Sequence, residues 1–249
     1  MLNMPASVKD AYLGFVVVRP LAGFRLGRSL LSDKLLPVNP SGHRAHLTCN
    51  AKYRANLSGN EIQFSGAPWM EQDTLVSACA SASLWVATWY MAHKHPPDFK
   101  AFFTSDITDL ATQFNITGGR AMPSAGLTNE QMMFALQDMG YEPLPYVPET
   151  AALARKTSSR YVLSGIPVIV SINFPRGGHA VTVVGHTWDG NRDLDIEQVK
   201  VNPTVSVPFC GQSDFIPELI IQDDAGGPYR LLEFLEWDEA IAAGFLDQS

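Results

Sequence analysis

Charge is scarce in this chain of 249 residues: Asp, Glu, Lys and Arg together supply 17%, against 46% hydrophobic residues. Disordered chains show the reverse balance, so the sequence specifies a packed core. Basic residues are the scarcer sign, 18 against 25 acidic, for a formal charge of −7. A surface for nucleic acid or anionic membrane needs the opposite sign, and neither partner is expected. Cysteine is limited to Cys49, Cys79 and Cys210. Three in a chain this long make no disulfide framework, and they fit a reducing, cytoplasmic setting in which one thiol is free to work. No stretch approaches the ~18 apolar residues of a membrane span. The run YLGFVVV (12–18) is too short and wrongly flanked for a secretory leader. Internal repeats, low-complexity tracts and charge blocks are missing as well. A chain of this length holds one large domain, or one domain with an extension, and needs no metal or disulfide staple.

The hydrophobic pattern divides the chain. Residues 11–66 read as strand-rich: YLGFVVVRP is a β-branched run closed by Pro20, and Ala45–Leu57 alternates apolar with polar. Gly42, Gly59 and Gly66 mark turns there, and 67–73 (APWMEQD) reads as a loop. The longest helix is expected from about Val76 to His93, rich in Ala, Leu and Met and stopped by Pro96-Pro97. Shorter helices are expected over Thr104–Phe114, capped by Thr104 or Ser105, over Thr128–Met139, and over Ala151–Ser164. Thr128 with Gln131 makes a capping box, and Gly140 stops that helix. The period then changes. Segments 166–172, 179–186, 217–224 and 228–235 read as successive strands separated by Gly, Pro and Asp turns. Helices first and an antiparallel sheet second make an α+β protein, with a β-rich extension at 1–66 and a catalytic-type domain at 67–249.

Three features carry chemistry when taken together. Cys79 falls in the first turn of the long helix, where unpaired backbone N–H groups and the positive dipole end favour a thiolate. His179 opens a strand after Gly177-Gly178, so its imidazole stands at a sheet edge. Asp223-Asp224 ends the strand LIIQDD, and an acid at a strand end can fix the tautomer of a neighbouring histidine. Nucleophile, base and orienting acid form a triad whatever their order in the chain, and strand length does not choose between the two acids. Gln72, just upstream of the thiol, is placed to donate its amide to an oxyanion. Each element alone has a plainer reading: a small buried cysteine, a satisfied histidine, an acidic turn. The order of all of them is what points to catalysis.

That order resembles the papain-like cysteine peptidase superfamily, and within it the bacteriocin-processing-peptidase-like branch. The family's glutamine, helix-initiating cysteine, Gly-His strand and Asp-terminated strand stand here as QDTLVSACASASLW, GGHAVTVVGH and ELIIQDDAGGPY. LTNEQMMFALQDMGY and LSGIPVIVSI sit where that branch has a helix and the strand before the histidine, so the resemblance covers about residues 67–235. It implies a papain-like fold, with the nucleophile at the N-terminus of a central helix packed on an antiparallel sheet. Cys79 is then nucleophile, His179 general base and acid, Asp223 the orienting acid and Gln72 the oxyanion donor. The chain departs from the pattern at Ala80, where the family has Gly, and at Asp223-Asp224, which no proline follows. The implied activity is hydrolysis of a peptide or isopeptide bond in a protein or peptide substrate, without a cofactor. Passing the same thioester to an amine, as transglutaminase-type enzymes do, is the alternative within catalysis. A non-catalytic binding module is the alternative outside it, and residues 1–66 are then a candidate surface for a protein partner.

Other clusters are given no catalytic role. His43-x2-His46-x2-Cys49 would place His46 on the opposite strand face from the other two, so no metal site is expected. His186 lies an odd seven residues after His179 and is not expected to share its face. His93 and His95 close a helix at the negative end of its dipole. The Gly-Gly pairs at 118, 177 and 226 fit no nucleotide-binding pattern. Trp69 and Trp188 flank the site in sequence and are candidates to line a cleft, while Trp85, Trp89 and Trp237 read as core or rim.

Overall fold

A computed structural model of the chain describes residues 4–20, 26–38, 41–72, 79–113, 126–174, 177–192, 197–202 and 205–234. In chain order the elements are α1 (Ala6–Asp10), β1 (Gly14–Phe15), β2 (Ser29–Ser32), β3 (Arg44–Leu47), β4 (Ala51–Leu57), β5 (Asn60–Trp69), α2 (Cys79–Lys94), α3 (Thr104–Thr112), α4 (Asn129–Asp138) and α5 (Ala151–Leu163), followed by β6 (Val168–Phe174), β7 (Gly177–Trp188), β8 (Glu197–Asn202), β9 (Val205–Phe209), β10 (Leu219–Asp223) and β11 (Gly227–Leu232). Helix and sheet are mixed, and among the described residues every strand pairing is antiparallel.

One sheet has the order β1-β2-β5-β4; a second has β11-β10-β7-β3, with β6 also on β7; β8 and β9 form a separate hairpin. β7, twelve residues long, is the axis of the second sheet. β10 pairs along one edge of it, at Thr182–His186. The other edge is shared: β6 takes Gly177–Val183, and β3 takes Gly185–Trp188. The amide of Cys49 donates to Val184 O (2.8 Å) and closes the gap between them.

Helix α2 lies between the sheets. Its residues Ala80 to Thr88, with Tyr90 and Ala92, are buried, the signature of a helix apolar on nearly all sides. One core joins Leu30, Leu31, Tyr53 and Phe64 of the first sheet to Leu84 and Trp85 of α2 and to Val184 and Ile220 of the second sheet. A smaller core on the far face of β7 gathers Val162 of α5 with Val181, Val183, Leu219 and Ile221.

Several expectations need revision. The alternating segment 45–57 is two strands in two sheets, because the chain turns at Thr48–Asn50 and sends β3 to β7 and β4 to β5. Gly66 is not a turn but lies inside β5, where a Cβ would stand 1.8 Å from Leu31 O; glycine is what lets β2 and β5 close. Residues 67–69, expected as loop, belong to the same strand, so the boundary expected at 66/67 falls within β5. Of YLGFVVVRP only Gly14–Phe15 is strand, and Val16, Val17 and Val18 are exposed. α1, β2 and the β8–β9 hairpin were not expected. Helix α3 begins after Phe103, whose amide donates to the Asp106 carboxylate (2.9 Å), so Thr104 and Ser105 lie inside its first turn. The capping box of α4 is present in both directions, Gln131 N–H to Thr128 Oγ1 at 3.2 Å and Thr128 N–H to Gln131 Oε1 at 2.9 Å. Gly140 follows with φ +90°. Residues 76–78 of the expected long helix, Phe114 of the helix expected after it, the Gly118 pair, Leu235 of the last strand and Trp237 lie outside the described residues.

Tyr229 ties the sheets together. It sits in β11 at φ +53°, a left-handed conformation costly for a tyrosine, and is 3% exposed. Its hydroxyl donates to Leu31 O (2.7 Å) and accepts from Ala67 N–H (3.0 Å), two residues that face each other across β2 and β5. Tyr229→Phe leaves both buried backbone groups without that partner. It is expected to lower the free energy of unfolding by about 2 kcal/mol, measured by urea denaturation. An unchanged midpoint would refute the bridging role.

Candidate active site

The site forms where α2, β7 and β10 meet. Cys79 opens the described part of α2, and its thiol is half-buried. One turn further on, Ser83 fixes the helix against β7. Its hydroxyl donates to Ala180 O (2.8 Å), and Thr182 Oγ1 donates back to Ser83 O (2.9 Å). Ala180 is the residue after His179, so this buried pair of bonds sets the distance between thiol and imidazole. Sequence reading missed both residues; the small-residue run ACASAS in an otherwise apolar helix was the available signal.

His179 carries the chemistry's electrostatics. Its Nε2 meets Asp223 Oδ1 at 2.9 Å, and Cys79 is its second hydrogen-bond partner. With Nε2 committed to the carboxylate, Nδ1 is the nitrogen left for the thiol. The bond to Asp223 and then the bond to Cys79 raise the imidazole from 6.5 to about 10, against the opposing effect of burial. The proton is therefore held through neutral pH.

Of the two acids, Asp223 is the one that bonds the histidine. Burial alone would raise its carboxyl. The hydrogen bond with His179 and those from the amides of Gly226 and Ala225 outweigh it and bring Asp223 down to about 2. The Ala225 amide donates to the same Oδ1 at 3.0 Å. A Cβ on Gly226 would lie 2.3 Å from Asp223 Oδ2, so the turn needs glycine to fold back over the carboxylate. Trp69 holds the acid's main chain, its indole N–H donating to Asp223 O at 2.8 Å. Trp69 is 5% exposed, which makes it a support beneath the acid and not a cleft wall.

Asp224 stands 3.7 Å from the same Nε2, with its side chain 4% exposed. Burial, then the neighbouring Asp223 charge, lift its carboxyl to about 7, while His179 and nearby backbone amides oppose the shift. Neither carboxylate oxygen receives a hydrogen bond of good geometry among the described residues. Gln72 reaches the site through its backbone: its amide donates to Asp224 O at 3.1 Å. His179, Asp223 and Asp224 are the trio of potential metal-ligating groups found among the described residues, with one donor atom each within 4.8 Å. The 2.9 Å contact accounts for their clustering as an ion pair.

The other candidates lie elsewhere. His186 is buried, stacked on His46 across β7 and β3 (5.4 Å between centroids), with Nδ1 3.0 Å from Thr187 O. A bulge between Val183 and Gly185 interrupts the alternation from which its orientation was reasoned, yet none of these partners belongs to the site. His43 stands between Asp189 and Glu218, at 3.5 Å from each. Cys49 is fully buried, which pushes its thiol up to about 12. His93 donates Nδ1–H to Trp89 O (2.8 Å) in the last turn of α2 and stacks on Trp89. Trp188 stacks on Phe215 beside the smaller core. Among the described residues no helix is long and apolar enough to cross a membrane.

Compared with known proteins, the chain matches no family model, no curated protein and no solved structure.

Proposed function

We propose that the protein is a thiol hydrolase of papain-like arrangement, acting on a peptide or amide bond. The observation that carries this reading is the continuous relay from Cys79 through His179 to Asp223, with its 2.9 Å Nε2–Oδ1 bond. A half-buried thiol beside a cationic imidazole is the setting in which a cysteine ionises and becomes nucleophilic. In the scheme, the proton already rests on His179 Nδ1 in a thiolate–imidazolium pair, and the Cys79 thiolate attacks the substrate carbonyl. Gln72 and the Cys79 backbone N–H stabilise the oxyanion. His179 returns the proton to the leaving amine as the C–N bond breaks. Water then attacks the acyl-thioester, giving up a proton to His179, and the acid departs as the thiolate–imidazolium pair re-forms.

The test is competitive alkylation with sub-stoichiometric iodoacetamide at pH 6, read by peptide mass spectrometry. Cys79 is expected to label at least ~10-fold faster than the exposed Cys210, and the buried Cys49 to stay unlabelled. Equal labelling of Cys79 and Cys210 would sink the proposal. A peptide library with a tagged amine in the buffer then measures how the acyl group divides between water and amine, using Cys79→Ala as the blank.

A further inference from the structure

The scheme above leaves one acid idle. A buried carboxyl without a full set of partners is costly, and such groups concentrate where a site uses them. Consecutive residues of a strand point to opposite faces, so Asp223 and Asp224 should not both reach one histidine. They do because β10 ends at Asp223, after a register shift against β11 between Ile221 and Asp223, and Asp224 lies in the turn beyond. Both main chains are then pinned, Asp223 O by the Trp69 indole and Asp224 O by the Gln72 amide. The result is two carboxylates at 2.9 Å and 3.7 Å from the same Nε2.

We propose that Asp224 is a second acceptor for His179 Nε2, a positioning residue that keeps the imidazole hydrogen-bonded as it tilts between the thiol and the leaving amine. This rests on the thiol-hydrolase reading. A ring held by a single acceptor must stretch that bond to follow the proton it carries. A second carboxylate less than 1 Å further away takes over along the same arc. The titratable groups around Asp224 are His179 from β7 and Asp223 beside it. Cys79 from α2 acts on it only through the imidazole. Asp224 touches neither thiol nor substrate in this scheme and acts through the histidine alone.

The experiment compares Asp224→Asn, Asp223→Ala and the double variant, with His179→Ala as reference, by the Cys79 alkylation rate from pH 5 to 9. Asp224→Asn is expected to slow labelling about 3-fold and Asp223→Ala about 10-fold. The double variant is expected to lose about 100-fold at pH 6, as much as His179→Ala and beyond the roughly 30-fold product of the two, because each acid covers for the other. In Asp223→Ala an acid limb enters the profile, since Asp224 must then ionise to accept the bond; it lies below the native Asp224 value of about 7 because the raising charge of Asp223 is gone, and a packing role would not cause it. The pair Asp223→Asn and Asp224→Asn, which keeps both side-chain sizes, repeats the comparison if the alanine variant is poorly folded. A double variant no slower than Asp223→Ala, with His179→Ala slow, overturns the role of Asp224 alone. If His179→Ala leaves Cys79 as reactive as before, the hydrolase reading fails and the proposal falls with it.

Discussion

His179→Ala is expected to slow alkylation of Cys79 by about 100-fold at pH 6, with the deficit shrinking below about 10-fold by pH 9. In the native protein the imidazole is cationic until about pH 10, first through the Asp223 bond and then through the Cys79 bond. The thiol therefore faces a positive charge across the whole range, and its rate should vary little with pH. Without His179 that positive charge is gone, and nothing beside the thiol favours its nucleophilic form as pH falls. A free cysteine, at the reference value of about 8.5, is only about 0.3% thiolate at pH 6. The loss falls short of that full factor because a more basic thiolate is a better nucleophile. The comparison of slopes is the decisive reading. Parallel profiles for native protein and variant would show that His179 does not set the state of the thiol.

Asp224→Asn is expected to change how stability depends on pH. Burial raises the Asp224 carboxyl from 3.8 to about 7, so the folded chain binds this proton more tightly than the unfolded chain. The stabilising contribution is complete below about pH 4 and is lost as pH rises through 7. Between pH 4 and pH 8 the native protein should lose on the order of 3 kcal/mol that the variant keeps. His179, raised to about 10, also contributes stability, complete below about 6.5 and lost as pH passes 10. That window is common to both proteins and largely cancels in their difference. Asp223, held near 2, contributes above about 3.8 and loses it only as pH falls through 2. Urea unfolding at pH 4, 6 and 8 gives the curves, and parallel lines would disprove the burial argument.

Local signals were legible in the sequence and cross-chain ones were not. The long helix of Ala, Leu and Met, the Thr128–Gln131 box and the Gly177-Gly178-His179 entry into a strand each have their causes within a few residues. The three side chains of the relay were named from that same local punctuation, and the choice of Asp223 came from the resemblance. The support beneath them was hidden, because it comes from elsewhere in the chain. Nothing near Trp69 says that its indole will hold a carbonyl 154 residues away, and nothing near Ser83 says that it will clasp Ala180. The strand period also misled at residues 45–57, since two short strands with a turn between them mimic one long alternating strand. Gly66 was legible as a glycine but not as a point of close approach, which depends on the register of β2 against β5.

The divided edge of β7 has a consequence for any attempt to trim the chain. Removing residues 1–66 would strip β3 away and leave Gly185–Trp188 with a row of unmet backbone groups beside the strand that carries His179. An uncovered strand edge is a template for pairing with other chains. The stretch before residue 67 therefore acts as a guard against self-association, built into the sheet of the site, and a shortened protein should be recovered as aggregate before it is ever tested for activity.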